Sequence, residues 1–387
     1  MAVLSRARSH WIIVGCCLIA VAASTAAAVA REPAARAIAA KATATATAGA
    51  PAPSVHTLDF GMAYGNTLLN LPTATLDARL HDAVALGDHW IRVDLPWSAV
   101  QPQQGEGYDW TVFDPIAQAA QSDGLKVDAT LVDVPAWARA ASCRADFSCP
   151  PADDGQFADF AVAAALHYGP MGMSTWEIWN EPNIAAWAPA PDPAAYEKLL
   201  ATTAAALRQA QPGAFVMLGG LAAPAKISAL AMSAYTFLTD VAKLGGTKDV
   251  SAVGYHPYSS GMPSTAANFA AVSSAPQNLE SVLQRYGTPK VQIWLNETGH
   301  DVPNERTDPG ATSSKSEQQE QTQAAYATNL VQTVAANGYV SADFWYSDTD
   351  DTSFNLEYGV HRADGDYRPV FSALKTAIAD CGCDSGR

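Results

Sequence analysis

Eight short apolar runs alternate with segments of helical composition along this chain, and that alternation restricts the possible folds more than any other feature. The runs are LDFGMAY at 58–64, HWIRVDL at 89–95, LKVDATLV at 125–132, STWEIWN at 174–180, AFVMLGG at 214–220, VSAVGYH at 250–256, KVQIWLN at 290–296 and YVSADFWY at 339–346. Their length and residue types read as strands. Between them lie segments such as TLDARLHDAVALG, QFADFAVAAALHYG and SALAMSAYTFLTDVAKLGG, several of which close on glycine, the residue expected just past a helix C-terminus. Eight such units without a break in composition predict an α/β chain folded as a (β/α)8, or TIM, barrel with a single catalytic domain. An open doubly wound sheet is the structural alternative, disfavoured because no glycine-rich phosphate turn follows the first run.

The chain of 387 residues has room for two average domains, or for one barrel of about 250 residues with long loops. A formal net charge of −15, with 16% charged and 49% hydrophobic residues, describes an acidic globular protein. Such a surface repels phosphate backbones and anionic lipid, which disfavours nucleic-acid and membrane-surface partners and favours a neutral substrate. A monomer is expected.

Arg6 and Arg8 precede an apolar run from Trp11 to about Ala23, and small residues follow as far as Ala28-Val29-Ala30. This is the pattern of a secretory signal peptide spanning 1–30, and the run is short for a membrane anchor. Residues 31–55, with KATATATAGAPAP, read as an Ala/Thr/Pro-rich spacer, and 56–387 as the folded domain. Export would place Cys143, Cys149, Cys381 and Cys383 in an oxidising compartment. Three pairings are open; Cys143 with Cys149 is preferred, and the C-x-C pair either bridges itself or stays apart. Further histidines or cysteines at zinc-ligand spacing are missing, so no metal and no cofactor are expected.

In a barrel the reactive side chains belong at the C-terminal ends of the strands. Arg92 and Asp94 end the second run, Asn180 and Glu181 the fourth, His256 and Tyr258 the sixth, Asn296 and Glu297 the seventh, and Trp345 the eighth. Pro182 is expected to stop the fourth strand and leave Glu181 facing a cleft. Two carboxylates on strands four and seven face each other across the mouth, the minimum apparatus for cleaving a glycosidic bond. Retention of configuration requires their nearest oxygens to be about 5 to 5.5 Å apart.

WEIWNEPN at 176–183, followed far downstream by IWLNETG at 293–299, resembles the strand-four and strand-seven signatures of the retaining (β/α)8 glycoside hydrolases of clan A, with family 39 and family 5 nearest in flavour. The resemblance covers residues 58 to 380. It implies that Glu181 is the general acid/base and Glu297 the nucleophile. It further implies that Asn180 bonds the sugar 2-hydroxyl or the nucleophile, that Arg92 and Tyr258 hold Glu297 ionised, that His256 positions groups near the acid/base, and that Trp345 floors the subsite where the bond breaks. Trp137 and Trp187, in mouth-side loops, are candidate sugar platforms. Glu177 reads as a satisfied core carboxylate, and Asp348, Asp350 and Asp351 as a solvated loop. N-E-T-G departs from the Thr or Ser that many relatives carry before the glutamate, and His300 has no role assigned by the resemblance.

The expected activity is that of a secreted retaining hydrolase acting on a β-linked carbohydrate. A carbohydrate-binding protein on the same barrel is the alternative, weighed against by the presence of both glutamates. A metal-dependent barrel hydrolase lacks its His or Asp clusters, and an esterase of the α/β-hydrolase type lacks G-x-S-x-G.

Overall fold

Eight parallel strands pair in sequence order, and the first closes onto the last, so the sheet has no free edge. In the computed structural model, which describes residues 57–302, 313–350 and 357–383, the strands are β1 (Asp59–Gly65), β2 (Trp90–Pro96), β3 (Lys126–Val132), β4 (Thr175–Ile178), β5 (Phe215–Ala222), β6 (Ala252–His256), β7 (Gln292–Thr298) and β8 (Val340–Tyr346). All eight fall on the eight apolar runs. The signal peptide and the spacer lie outside the described residues.

A barrel strand is covered on both faces, which is why these runs are nearly continuous in apolar residues. The inner face carries Trp90, Met217, Ala252, Trp294, Ala342 and Phe344 as one buried cluster. Trp294 meets Trp90 edge-on at 5.1 Å, Phe215 at 5.2 Å and Phe344 at 5.8 Å between ring centroids. This aromatic cluster fills the barrel interior below the strand C-terminal ends. Truncating Trp294 to alanine would cost about 3–5 kcal/mol.

The outer face packs against α1 (Thr73–Leu86), α2 (Asp114–Asp123), α3 (Asp154–Tyr168), α4 (Pro193–Ala210), α5 (Ala234–Leu244), α6 (Leu279–Arg285), α7 (Ser313–Ala335) and α8 (Pro369–Asp380). Local signals set their ends. Asp153, Asp192, Ser233 and Asn278 each accept a hydrogen bond from a backbone N–H of the following first turn. Gly87 and Gly245 close α1 and α5 in the left-handed conformation, at φ 98° and 111°. Among the described residues, no helix is long and apolar enough to cross a membrane.

Cys143 is bonded to Cys149 within the loop between β3 and α3, and Cys381 to Cys383 just past α8. The acidic run after β8 is a correction to the expected solvated loop. Asp348 is buried against the guanidinium of Arg79, and Asp350 accepts from Arg368 and from the Gly359 N–H. These pairs tie the β8 loop to α1 and α8; Asp351 lies outside the described residues.

Candidate active site

Arg92 is the hub of the mouth. Its side chain rises from the inner face of β2, wholly buried, and donates in three directions. Nε and Nη2 bond the two oxygens of Glu177 at 2.6 and 3.1 Å, Nη2 also reaches Asn180 Oδ1 at 2.8 Å, and Nη1 bonds Glu297 Oε1 at 2.6 Å. Glu177 accepts further from Thr130 Oγ1, the Gly220 N–H and Asn296 Nδ2, at 2.9, 2.6 and 2.9 Å. A carboxylate so fully hydrogen-bonded has no capacity left for chemistry; its work is to hold Arg92 in place.

Glu297 receives a second donor, the Tyr258 hydroxyl, at 3.0 Å from Oε2. Burial pushes this carboxyl up, but the charges of His256 and Arg92 and the bonds from Tyr258 and Arg92 outweigh it, and Glu297 is held below the usual carboxylate range. It is therefore ionised at neutral pH. Tyr258→Phe removes one of these donors, so the acid limb of a kcat/KM profile should move to higher pH; an unmoved limb would dissociate Tyr258 from the charge on Glu297.

Glu181 sits opposite, at the end of β4, and here the structure departs from the expected strand. Regular pairing stops at Ile178, before Pro182, because Trp179 and Glu181 adopt left-handed backbone conformations at φ 71° and 48°. A non-glycine residue held there is strained, and such strain collects at functional sites. The turn is fastened by the Glu181 N–H, which donates to Gly220 O at 2.9 Å, and by Asn183, whose side chain bonds Ala222 N, Ala222 O and Met232 O.

Neighbouring β5 must leave room for this turn. A Cβ on Gly219 would fall 2.1 Å from Trp179 O, and one on Gly220 would fall 1.9 Å from His256 Nε2. The two glycines of AFVMLGG are thus site residues that the sequence reading took only as the end of a strand. Two adjacent glycines closing an otherwise apolar strand were the available signal.

His256 lies between the two carboxylates. Its Nδ1 is 3.0 Å from Glu181 Oε1 and 3.5 Å from Glu297 Oε2. Burial lowers its pKa, yet the charges of Glu297 and Glu181 and the bond to Glu181 raise it above the ordinary histidine value. One donor atom each from Glu181, His256 and Glu297 lie within 4.8 Å of one another. A cation could be enclosed by such a triad, but Arg92 and Tyr258 already engage both oxygens of Glu297.

Two further carboxyls, unassigned from sequence, border the mouth. Asp94 follows Arg92 on the inner face of β2; burial and the negative charges of Asp133, Glu297 and Glu177 outweigh the pull of Arg92 and bring it up to about 7. Asp133, just past β3, is raised by burial to about 6.

Among the aromatic candidates the structure corrects two. Trp345 points outward from β8: it lies against Tyr326 of α7 at 6.3 Å, is 3% exposed, and donates to Tyr358 O at 3.1 Å. Alternation along β8 turns Phe344 and Tyr346 inward instead, so the aromatic ring at the mouth is that of Tyr346, 5.9 Å from Tyr358. Trp187 is also 3% exposed, with Trp179 at 5.2 Å and Tyr196 at 5.6 Å against its ring, and belongs to the core. Trp137 stays half-buried at the mouth, edge-on to Trp97 and bonded to Gln101 O. His300 stacks on Tyr326 at 4.9 Å in the outer layer. Tyr346→Ala should therefore raise KM or lower kcat for a glycoside and cost less stability than truncation of the fully buried Trp345. Trp345→Ala should instead destabilise by about 3–5 kcal/mol; the reverse pattern in kinetics and denaturant melts would restore Trp345 to the subsite.

The architecture is shared with known enzymes. A family 39 glycoside hydrolase from Bacteroides cellulosilyticus WH2 superposes with a TM-score of 0.66 at 20% identity, over 84% of this chain and 64% of that one. A monomeric β-xylosidase from Caulobacter crescentus CB15 gives 0.63 at 19% identity, over 84% and 69%. Xylanase 10B from Thermotoga petrophila RKU-1, solved with xylobiose, gives 0.57 at 16% identity, over 84% and 94%. This chain thus spans under two thirds of the length of the first of these. At such identities the likeness establishes the fold, the (β/α)8 barrel that these glycoside hydrolases have in common. No protein-family model and no curated protein matches the sequence.

Proposed function

We propose that the protein is a secreted, monomeric, retaining glycoside hydrolase that cleaves a β-linked glycan or glycoside by double displacement, without a cofactor. The observation that carries this reading is the pair of oppositely furnished carboxylates on β4 and β7, with oxygens within 4.8 Å of each other. That bound falls below the about 5 to 5.5 Å typical of retention, and His256 Nδ1 lies between the two groups, 3.0 Å from Glu181 and 3.5 Å from Glu297. Inversion needs room for a water molecule, about 6.5–9.5 Å between the carboxyls, so the short gap favours direct attack.

Glu297, ionised and held by Arg92 and Tyr258, attacks the anomeric carbon while Glu181 gives its proton to the departing glycosidic oxygen. The product of this step is a glycosyl ester on Glu297 and a free leaving group. Glu181, now a carboxylate beside His256, takes a proton from water, whose oxygen attacks the same carbon from the opposite face and releases the sugar. Asn180 commits its carbonyl oxygen to Arg92. Its amide N–H is then the donor for the sugar 2-hydroxyl, a contact that strengthens as positive charge develops on the ring. Export is supported by the signal-like residues 1–30 and by the two disulfides.

The test uses the mature protein, Glu181→Gln and Glu297→Gln on a panel of β-glycans and activated aryl β-glycosides, with azide as an external nucleophile. Wild-type cleavage, an inert Glu297→Gln and azide rescue of Glu181→Gln on activated substrates, with a β-glycosyl azide formed, would establish both roles. Tight binding of a glycan with no cleavage of any panel member would instead make the barrel a carbohydrate-binding protein.

A further inference from the structure

Among the described residues, the large apolar side chains that are exposed include Val84, Leu166 and Leu244 on helices and Tyr339 and Tyr367 in connecting segments, while two more share one short loop after β5. Ile227 and Leu230, 58% and 51% exposed, stand on the loop after β5, and Met262 is exposed on the loop after β6. Residues 225–230 are all exposed, and Lys226 is the only charged residue between Leu221 and Ser233.

This loop is not a free appendage. Ala231 bridges to both Ser228 and Ile184, and the Met232 N–H donates to Asn183 O, so the hairpin is fastened to the turn that carries Glu181. The buried Asn183 side chain adds bonds from the same turn to Ala222 and Met232. The hairpin and the acid/base glutamate therefore hold one fixed relation.

Position then decides the ligand. The acid protonates the leaving-group oxygen, so the leaving group must lie beside Glu181, over the segment its turn is clasped to. The other side of the mouth, with Asp94 on β2 and Asp133 just past β3, is polar and suited to the hydroxyls of the sugar that Glu297 attacks. We propose that the leaving-group side is an apolar subsite formed by Ile227 and Leu230, which accepts an alkyl or aryl aglycone rather than a further sugar ring. The proposal rests on the hydrolase reading above and narrows its substrate to glycosides of apolar alcohols.

The test reads binding and cleavage separately. Methyl, butyl and octyl 1-thio-β-D-glucosides and 1-thio-β-D-xylosides, which resist hydrolysis, are titrated calorimetrically into wild type and the Ile227→Ser/Leu230→Ser double variant. Aryl β-glycoside hydrolysis is followed in parallel. A fully buried methylene gives about fourfold in affinity, so two or three covered on an open lip give about tenfold or more from methyl to octyl. That gain should appear in wild type and fall to within about twofold in the double variant, whose exposed substitutions leave folding unchanged. Affinity that does not rise with chain length in wild type, non-binding included, overturns the apolar subsite, as does a gain that survives in the double variant. Cleavage of aryl glycosides without a chain-length gain retires this subsite and keeps the hydrolase. A gain lost in the double variant without any cleavage keeps the subsite and retires the hydrolase.

Discussion

Glu297→Gln is expected to lower kcat on an activated aryl β-glycoside by about four orders of magnitude or more, with the variant folding like wild type. The amide cannot form the glycosyl ester, and it also removes the negative charge that opposes the positive charge developing on the sugar. Folding should survive because the substitution preserves shape, and because the buried guanidinium of Arg92 keeps its two bonds to Glu177. Initial rates beside a thermal melt decide the matter: a loss below about tenfold in a folded variant would exclude Glu297 as the nucleophile.

Arg92→Met should damage stability as well as activity. Glu177 is wholly buried, and its charge would lose the cation lying 2.6 Å away. Breaking a buried pair in this way costs about 3–5 kcal/mol, a large part of the roughly 5–15 kcal/mol that holds a domain together. Glu297 would lose one of the groups that keep it ionised. Since the folded-state pKa of Glu297 is depressed, its contribution to stability is present above the unfolded value and is lost as pH falls through the folded one. With Arg92 absent the depression shrinks, so that contribution becomes smaller and the acid limb of activity moves upward. Arg92→Lys keeps a charge but not the planar fork, and should fall between wild type and Arg92→Met in urea midpoint and in kcat/KM. A wild-type midpoint for Arg92→Met would show that Glu177 is held by its other donors alone.

Much of the site is legible in the sequence because a barrel converts sequence order into spatial order. Each strand ends at the same rim, so Arg92, Asn180, Glu181, His256, Tyr258 and Glu297, scattered over about two hundred residues, had to meet once eight units were recognised. The satisfied state of Glu177 followed from its depth on β4. Strand parity failed at β8. Both faces of a barrel strand are covered, so YVSADFWY carries no polar alternation to say whether Trp345 or Tyr346 looks inward.

The order of strands and helices, the strand-end residues and the pairing of Glu181 with Glu297 across the mouth were determined by the sequence alone, because they depend on local pattern and on closure of the ring. Contacts between distant segments were left to the tertiary structure. The pairing of Asp348 with Arg79, 269 residues away, turned a supposed solvated loop into a fastened one. The burial of Trp187 against Trp179 and Tyr196, and the clearance that Gly219 and Gly220 give to Trp179 and His256, likewise appear only when neighbouring strands and loops are packed. A side chain's partner is set by steric and electrostatic fit among elements far apart in the chain, and no local pattern encodes that fit.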